Sequence, residues 1–354
     1  MLTSFRPAHI SGNLLVLPHT ICTFEDDAAN FDFPIARSLK LKEVMGYGTR
    51  HVALPEQCVS DLVVHGFLYL RDQGLLDLDS LDGIILVTQM PDQIVPQTSA
   101  IVHGMLGLKQ DMLLLDITQG CAGFVIAAME ALAWLQRPGF KRIAVVTADI
   151  LSRKISSRDR NSLPLAGDAA AITIFDRREA GGKDWPAIMR FDGSRALALQ
   201  IPAGGARLPS TVETARMVTT GDNNWRAQDH LCMDGTAVFN FVMSEVPVTL
   251  GELFENSGQD IKNIDWFFIH QPNRFMVNKL ADKLGIPRNK MPDKIAGKYG
   301  NSNSATIPAV IADTLPFFTD KAMSTCFAGF GVGLSTAALL GAVGPLNFNA
   351  VCVC

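Results

Sequence analysis

Short uninterrupted apolar runs of strand length alternate along this chain with longer segments whose apolar positions recur every three to four residues. Strands are expected over residues 14–17, 83–88, 112–115, 142–148 and 169–175. Residues 56–73 read as an amphipathic helix with Val59, Leu62, Val63, Phe67 and Leu70 on one face, and residues 125–136 as a second helix. Runs that are apolar at every position predict strands buried on both faces, and their alternation with helices predicts an α/β class. A loop through Pro91 and Pro96 and a short helix separate the second and third strands. Residues 23–47 show mixed periodicity and no clear element. Residues 181–224, rich in Gly, Pro and Thr, read as a linker.

Beyond that linker the layout repeats. An Asp, an apolar strand and Gln89-Met-Pro91 are echoed by Asp265, an apolar strand and His270-Gln-Pro272. Gln89 to Cys121 spans 32 positions and Gln271 to Asn301 spans 30, while Cys121 to Thr147 and Asn301 to Phe327 both span 26. Two half-chains of like design explain this: 1–180, the linker 181–224, and 225–354. In such a duplicate, Cys121 and Asn301 occupy equivalent junctions that face one another.

Composition narrows the classes. With 354 residues, 48% hydrophobic and 19% charged, the chain can bury a large core. A net charge of -4 excludes a general nucleic-acid binder. No apolar run reaches spanning length and no secretory leader is evident, so no membrane span is expected and a cytoplasmic location is. Seven cysteines without zinc spacing predict reduced thiols and no metal site, and Cys352 and Cys354 read as part of a terminal strand.

The chemistry centres on Asp116-Ile-Thr-Gln-Gly-Cys121-Ala-Gly-Phe124, which joins a strand to a helix. On residue type alone Cys121 is a buried small hydrophobe, but a helix N-terminus favours a thiolate, and Gly120 and Gly123 let a substrate approach the backbone. His270 closes an apolar strand at the edge where both junctions lie. Cys, His and Asn therefore converge. A thiolate beside an imidazole can take an acyl group, and His with Asn can donate hydrogen bonds to a developing enolate or thioester oxygen. A hydrolase of Cys-His-Asn type would use the same three residue types.

Gly120-Cys-Ala-Gly-Phe124, His270-Gln-Pro-Asn273, Tyr299-Gly-Asn301-Ser-Asn-Ser-Ala305 and Gly329-Phe-Gly-Val-Gly333 resemble, in order and spacing, the thiolase superfamily and its β-ketoacyl-acyl carrier protein synthase III branch. The resemblance implies a thiolase-like fold, with duplicated βαβαβαββ halves in five αβαβα layers, in a homodimer. It implies decarboxylative condensation of an acyl thioester with a malonyl thioester, without a cofactor. Acyl-coenzyme A or acyl carrier protein, and malonyl-carrier protein, would be the substrates. Carried over, Cys121 is the acylated nucleophile, His270 and Asn301 stabilise the enolate, and the amides of Cys121 and Val332 form the oxyanion hole. Phe330 lines the chamber, and Val95 reaches across the dimer to limit the acyl chain. Arg160 matches the arginine that pairs with a tryptophan on the coenzyme A adenine, but that tryptophan, expected near residues 40–45, is absent. Arg274 and Lys279, with Lys283, Arg288 and Lys290, form the expected docking face for an acidic carrier. Gln119-Gly120 stand where two alanines are usual, and Val332 where glycine is. Acyl transfer from Cys121 to an oxygen or nitrogen nucleophile, and a silent partner subunit, are the rival readings. The intact Cys-His-Asn set disfavours the second.

Overall fold

The computed structural model describes residues 1–178, 181–221 and 223–354. Five strands of the first half form one side of the sheet: β1 (Ala8–Leu17), β2 (Gly83–Val87), β3 (Leu113–Ile117), β4 (Arg142–Asp149) and β5 (Ala169–Arg177). Their order is β1-β5-β4-β2-β3, with β1–β5 and β5–β4 antiparallel and β4–β2 and β2–β3 parallel. The second half repeats this with β6 (Trp185–Phe191), β7 (Trp266–Ile269), β8 (Met323–Gly331) and β9 (Ser335–Val353). There the order is β6-β9-β8-β7, with β6–β9 and β9–β8 antiparallel and β8–β7 parallel. The two sets are continuous because the end of β9 pairs in parallel with β1.

Helices α1 (Ile35–Met45), α2 (Val59–Asp72), α3 (Thr98–Leu106), α4 (Gly123–Leu135), α5 (Gly235–Ser257), α6 (Arg274–Leu284) and α7 (Thr306–Thr314) complete the frame. Strand pleating sorts their contacts. Ile84 and Leu86 of β2 and Ala144 and Val146 of β4 pack with α2 residues such as Leu62 and Phe67. Ile85, Val87, Ile143 and Val145, on the opposite face, pack with α4 and α7. In the second half Phe268, Phe327 and Leu339 join that same middle core, while Phe267, Cys326 and Leu340 pack with α5 and α6. The result is five layers, helices–sheet–helices–sheet–helices. Helix α4 lies between two sheets, so Phe124, Val125, Ala128, Met129 and Leu132 are all buried and it shows little amphipathic pattern.

The structure corrects two readings. The expected linker 181–224 contains β6, an inner strand of the second half; Pro186 and Arg190 hide its apolar character, but Trp185, Pro186, Ala187 and Ile188 are buried. The half-chains are also less self-contained than 1–180 and 225–354 suggest, since the first strand of the chain, Leu2–Phe5, pairs with β6. One helix, α5, is by length and composition apolar enough to cross a membrane. Its apolar side, with Val238, Phe241, Val242, Leu250 and Leu253, packs in the outer core of the second half, and Glu245, Glu252 and Glu255 interrupt the rest. Residues 23–47, unassigned from sequence, form a short helix, Phe24–Ala28, and α1.

Candidate active site

Strand β3 ends at Ile117, and the turn that follows places Cys121 two residues before α4. A hydrogen bond from the Gly123 amide to the Gly120 carbonyl (2.7 Å) closes this turn. Strand β8 runs against it so closely that a Cβ at Gly329 would lie 2.6 Å from Cα of Ala122. One at Gly331, where φ is +148°, would lie 2.7 Å from the Cys121 sulfur. The glycines of Gly329-Phe-Gly-Val-Gly333 thus bring the Val332 backbone to the nucleophile. Cys121 is buried, and burial pushes its thiol up to about 11. Hydrogen bonds from the Val332 and Cys121 amides oppose that rise. Burial therefore outweighs the helix terminus, and the resting group is a thiol, not the expected thiolate.

His270 directly follows β7, and its amide extends the ladder to the Ala328 carbonyl (2.8 Å). Its Nδ1 is engaged by the Thr306 hydroxyl at 2.7 Å, which leaves Nε2 for chemistry. The ring stands edge-on to Phe330, with centroids 5.5 Å apart. Burial depresses its basicity to about 3, so it is a neutral imidazole. The Thr306 proton has two acceptors, His270 Nδ1 and the Asn303 carbonyl (2.9 Å). Given to Nδ1, it makes Nε2 an N–H donor; given to Asn303, it leaves Nε2 an acceptor.

Asn301 is tied down by its amide, which donates to the Leu165 carbonyl (2.6 Å). Its Oδ1 accepts from the Asn303 amide (2.9 Å), so Nδ2 is the end left to donate. The equivalence with Cys121 is looser than the spacing suggests: a short 3-10 turn, Asn303–Ala305, intervenes before α7. That turn delivers Asn303, at φ 58°, to the nucleophile. The thiol donates to Asn303 Oδ1 at 3.1 Å. Asn303 Nδ2 donates in turn to Gln89 Oε1 (3.1 Å) and Asp149 Oδ2 (2.8 Å). Asn303, Gln89, Asp149 and Thr306 were given no role at the site from sequence, although Gln89 marks the repeat and Asn303 lies within the Tyr299–Ala305 motif.

Two cavities meet at Cys121 and share Leu165, Leu199, Met233 and Asn301. One, of about 220 Å³, runs past Gln89, Met90, Leu151 and Ile155. The other, of about 320 Å³, runs past His270, Phe330, Asn273, Phe239 and Tyr47. Of the residues expected at the site, Cys121, His270, Asn301, Val332 and Phe330 are thus together. Val95 is not: it is 77% exposed on its loop and lines neither cavity of its own chain.

The expected binding residues divide. The Arg160 guanidinium lies 4.3 Å over the Phe33 ring, and its amide donates to Asn224 Oδ1 (3.1 Å). Arg274 donates to the Glu43 carbonyl at the end of α1 (2.6 Å) and packs over Gly46, so it ties α6 to α1. Arg288 pairs with Asp282, and Lys290 donates to the carbonyls of Lys262 and Ile264. Of the expected docking face, Lys279 and Lys283 remain exposed, the Lys279 ammonium 5.7 Å from the centroid of Phe275, a ring that lines the larger cavity. Among the described residues no cluster of three or more metal-ligating side chains occurs.

Residues 115–193 match the family model of 3-oxoacyl-[acyl-carrier-protein] synthase III, and residues 254–342 that of its C-terminal part. A β-ketoacyl-[acyl-carrier-protein] synthase III of Streptococcus suis is 30% identical over 336 residues, covering 94% of this chain and 98% of that protein. The chain belongs to the 3-oxoacyl-[acyl-carrier-protein] synthase III family. A crystal structure of a 3-oxoacyl-(acyl-carrier-protein) synthase from Burkholderia xenovorans superposes with a TM-score of 0.90 at 29% identity, covering 100% of this chain and 99% of that one. Another 3-oxoacyl-(acyl-carrier-protein) synthase III structure gives a TM-score of 0.88 at 29% identity, over 95% of this chain and 99% of that one. The five-layered fold is therefore the thiolase-like fold of these condensing enzymes, and the chain is a condensing enzyme of this type.

Proposed function

We propose that this synthase III-type enzyme loads an acyl group from a thioester onto Cys121. The acyl group then passes to the carbanion formed when a malonyl thioester loses carbon dioxide, giving a 3-oxoacyl thioester. The observation that carries this reading is the pair of cavities meeting at one buried thiol. The 220 Å³ cavity suits the bound acyl group, and the 320 Å³ cavity, which holds His270, suits the second thioester. Val332 and Cys121 amides that bond the sulfur are placed to bond a thioester oxygen on the same atom's carbon. In the loading step the thiol loses its proton as the new C–S bond forms, and the leaving thiolate takes it up. His270 Nε2, as an acceptor, can carry that proton. In the condensing step Nε2–H and Asn301 Nδ2 donate to the enolate oxygen, and the Thr306 hydroxyl allows the imidazole both forms.

We assign delivery of at least one substrate to an acyl carrier protein. The tryptophan expected to pair with Arg160 on an adenine is absent, the Arg160 guanidinium lies over the Phe33 ring instead, and Lys279 offers a cation beside Phe275 of the larger cavity. A homodimer is proposed because Ile94 and Val95, 91% and 77% exposed, form an apolar tip that a second copy would cover. Seven free cysteines suit a reducing, cytoplasmic setting. Incubation with an acyl thioester and malonyl-carrier protein tests the reaction: carbon dioxide and a 3-oxoacyl-carrier product support it, whereas transfer of the acyl group to an alcohol or amine without carbon dioxide release overturns it.

A further inference from the structure

The polar groups behind Cys121 form a directed chain whose orientation is fixed from one end. Asp149, at the end of β4, accepts from the Gln89 amide (2.7 Å), the Thr88 hydroxyl (3.1 Å) and Asn303 Nδ2 (2.8 Å). Ionised, Asp149 accepts from all three donors and can face only the NH2 end of Asn303, and Gln89 Oε1, an acceptor in either state of Asp149, faces the same end. This sets the carboxamide: Nδ2 toward Asp149 and Gln89 Oε1, Oδ1 toward the sulfur. Turning Asn303 over would break both Nδ2 bonds and present its oxygen to a carboxylate. The positive φ of Asn303 and the bond from its amide to Asn301 Oδ1 fix its backbone as well. Gly120 makes room for the arrangement, because a Cβ there would lie 2.6 Å from Gln89 Oε1 and 3.1 Å from Asn303 Oδ1. The glycine in place of the usual alanine is thus accounted for by the two carboxamides behind the nucleophile.

We propose that Asn303 is a positioning residue for Cys121: oriented by Asp149 and Gln89, its carbonyl oxygen binds the S–H, fixes the side-chain rotamer and holds the resting nucleophile as a thiol until substrate enters. An oxygen lone pair aimed at sulfur favours the protonated form and opposes the thiolate, so adventitious electrophiles meet an unreactive group. The backbone carbonyl of Asn303, a separate oxygen, accepts from the Thr306 hydroxyl that holds His270, so one residue touches Cys121 through its side chain and the partner of His270 through its main chain. The inference rests on Cys121 as the nucleophile but not on any substrate.

The test is the pH dependence of Cys121 alkylation by iodoacetamide in the full chain, mapped by mass spectrometry; it uses no thioester, so its outcome is separate from that of the condensation assay. Removing the acceptor in Asn303→Ala should weaken proton affinity about fivefold and move the alkylation midpoint to lower pH, as loss of one hydrogen bond implies. Asn303→Asp, nearly isosteric, should move it to higher pH by placing a negative charge at the same spot. Asp149→Asn, which frees Asn303 to turn, should lower it, and combining it with Asn303→Ala should add less than the two separate shifts. Unchanged midpoints with altered plateaus would reduce Asn303 to packing. Fully additive shifts would leave Asp149 acting through its charge alone and overturn the chain.

Discussion

In the proposed reaction Cys121 becomes reactive on demand: burial and the Asn303 side-chain oxygen favour the thiol, while the Val332 and Cys121 amides favour the thiolate. Among the seven cysteines Cys121 alone lines both cavities, one of them together with His270, whereas burial raises Cys326 and Cys352 away from them. An acyl thioester should therefore label Cys121 alone, and Cys121→Ala should abolish the added mass; label on Cys326 or Cys352 would contradict this. His270→Ala and Asn301→Ala should slow malonyl decarboxylation by roughly 100- to 1000-fold, the usual cost of one donor to a developing oxyanion, and slow acylation less. Equal slowing of both half-reactions would make the pair thiol activators instead. Asp149 and His270 also give opposite stability signs. Burial raises Asp149 to about 7 from 3.8, so its contribution is present below about pH 4 and is lost as pH rises toward 7. His270 is lowered to about 3 from 6.5, so its contribution is present above about pH 6.5 and is lost as pH falls toward 3. Across pH 4–7 the two contributions oppose each other, so in thermal melts Asp149→Asn should leave stability rising more steeply with pH than in the unsubstituted protein; an unaltered profile would show that Asp149 shares its charge cost elsewhere.

The elements that carry the site were legible where the local pattern and the fold agree. Strands at 83–88 and 142–148 and the helix at 56–73 appeared within a few residues of β2, β4 and α2, because each is uniformly buried or presents one apolar face. Strand β6 was hidden by Pro186 and Arg190, since its place is decided by pairing with β9 and the Leu2–Phe5 strand rather than by local pattern. Cys121, His270 and Asn301 could be read because each sits at a strand end or a glycine-marked turn. Gln89, Asp149 and Asn303 could not, because the bonds joining them link positions 214 and 154 residues apart, and the expected strand 142–148 stopped one residue short of Asp149. At this scale Gly331→Ala should be severe, since its Cβ would lie 2.7 Å from the sulfur in a backbone conformation alanine disfavours. Loss of Cys121 alkylation with an intact fold by circular dichroism is the expected result, and normal alkylation would refute the tight packing of β8 on the nucleophile turn.

At the scale of the whole molecule, duplication places two strand-to-helix junctions on either side of one core, and the active site occupies the gap between them. The same geometry leaves the Val95 loop outside the site of its own chain, so any limit it sets on the acyl group requires a second copy. The proposed carrier docking falls to Lys279 and Lys283 rather than Arg274, because Arg274 fastens α6 to α1. Lys279→Glu should raise KM for malonyl-carrier protein and flatten its salt dependence, with acylation by small thioesters unchanged; an unaltered salt dependence would place the docking face elsewhere. The most direct measurement of the central claim follows carbon dioxide release and intact-protein mass together as Cys121-acylated enzyme meets malonyl-carrier protein. The acyl mass should leave Cys121 in step with one equivalent of carbon dioxide and one of 3-oxoacyl-carrier protein. An acyl mass that persists while malonyl is consumed, or that leaves without carbon dioxide, would contradict condensation through Cys121.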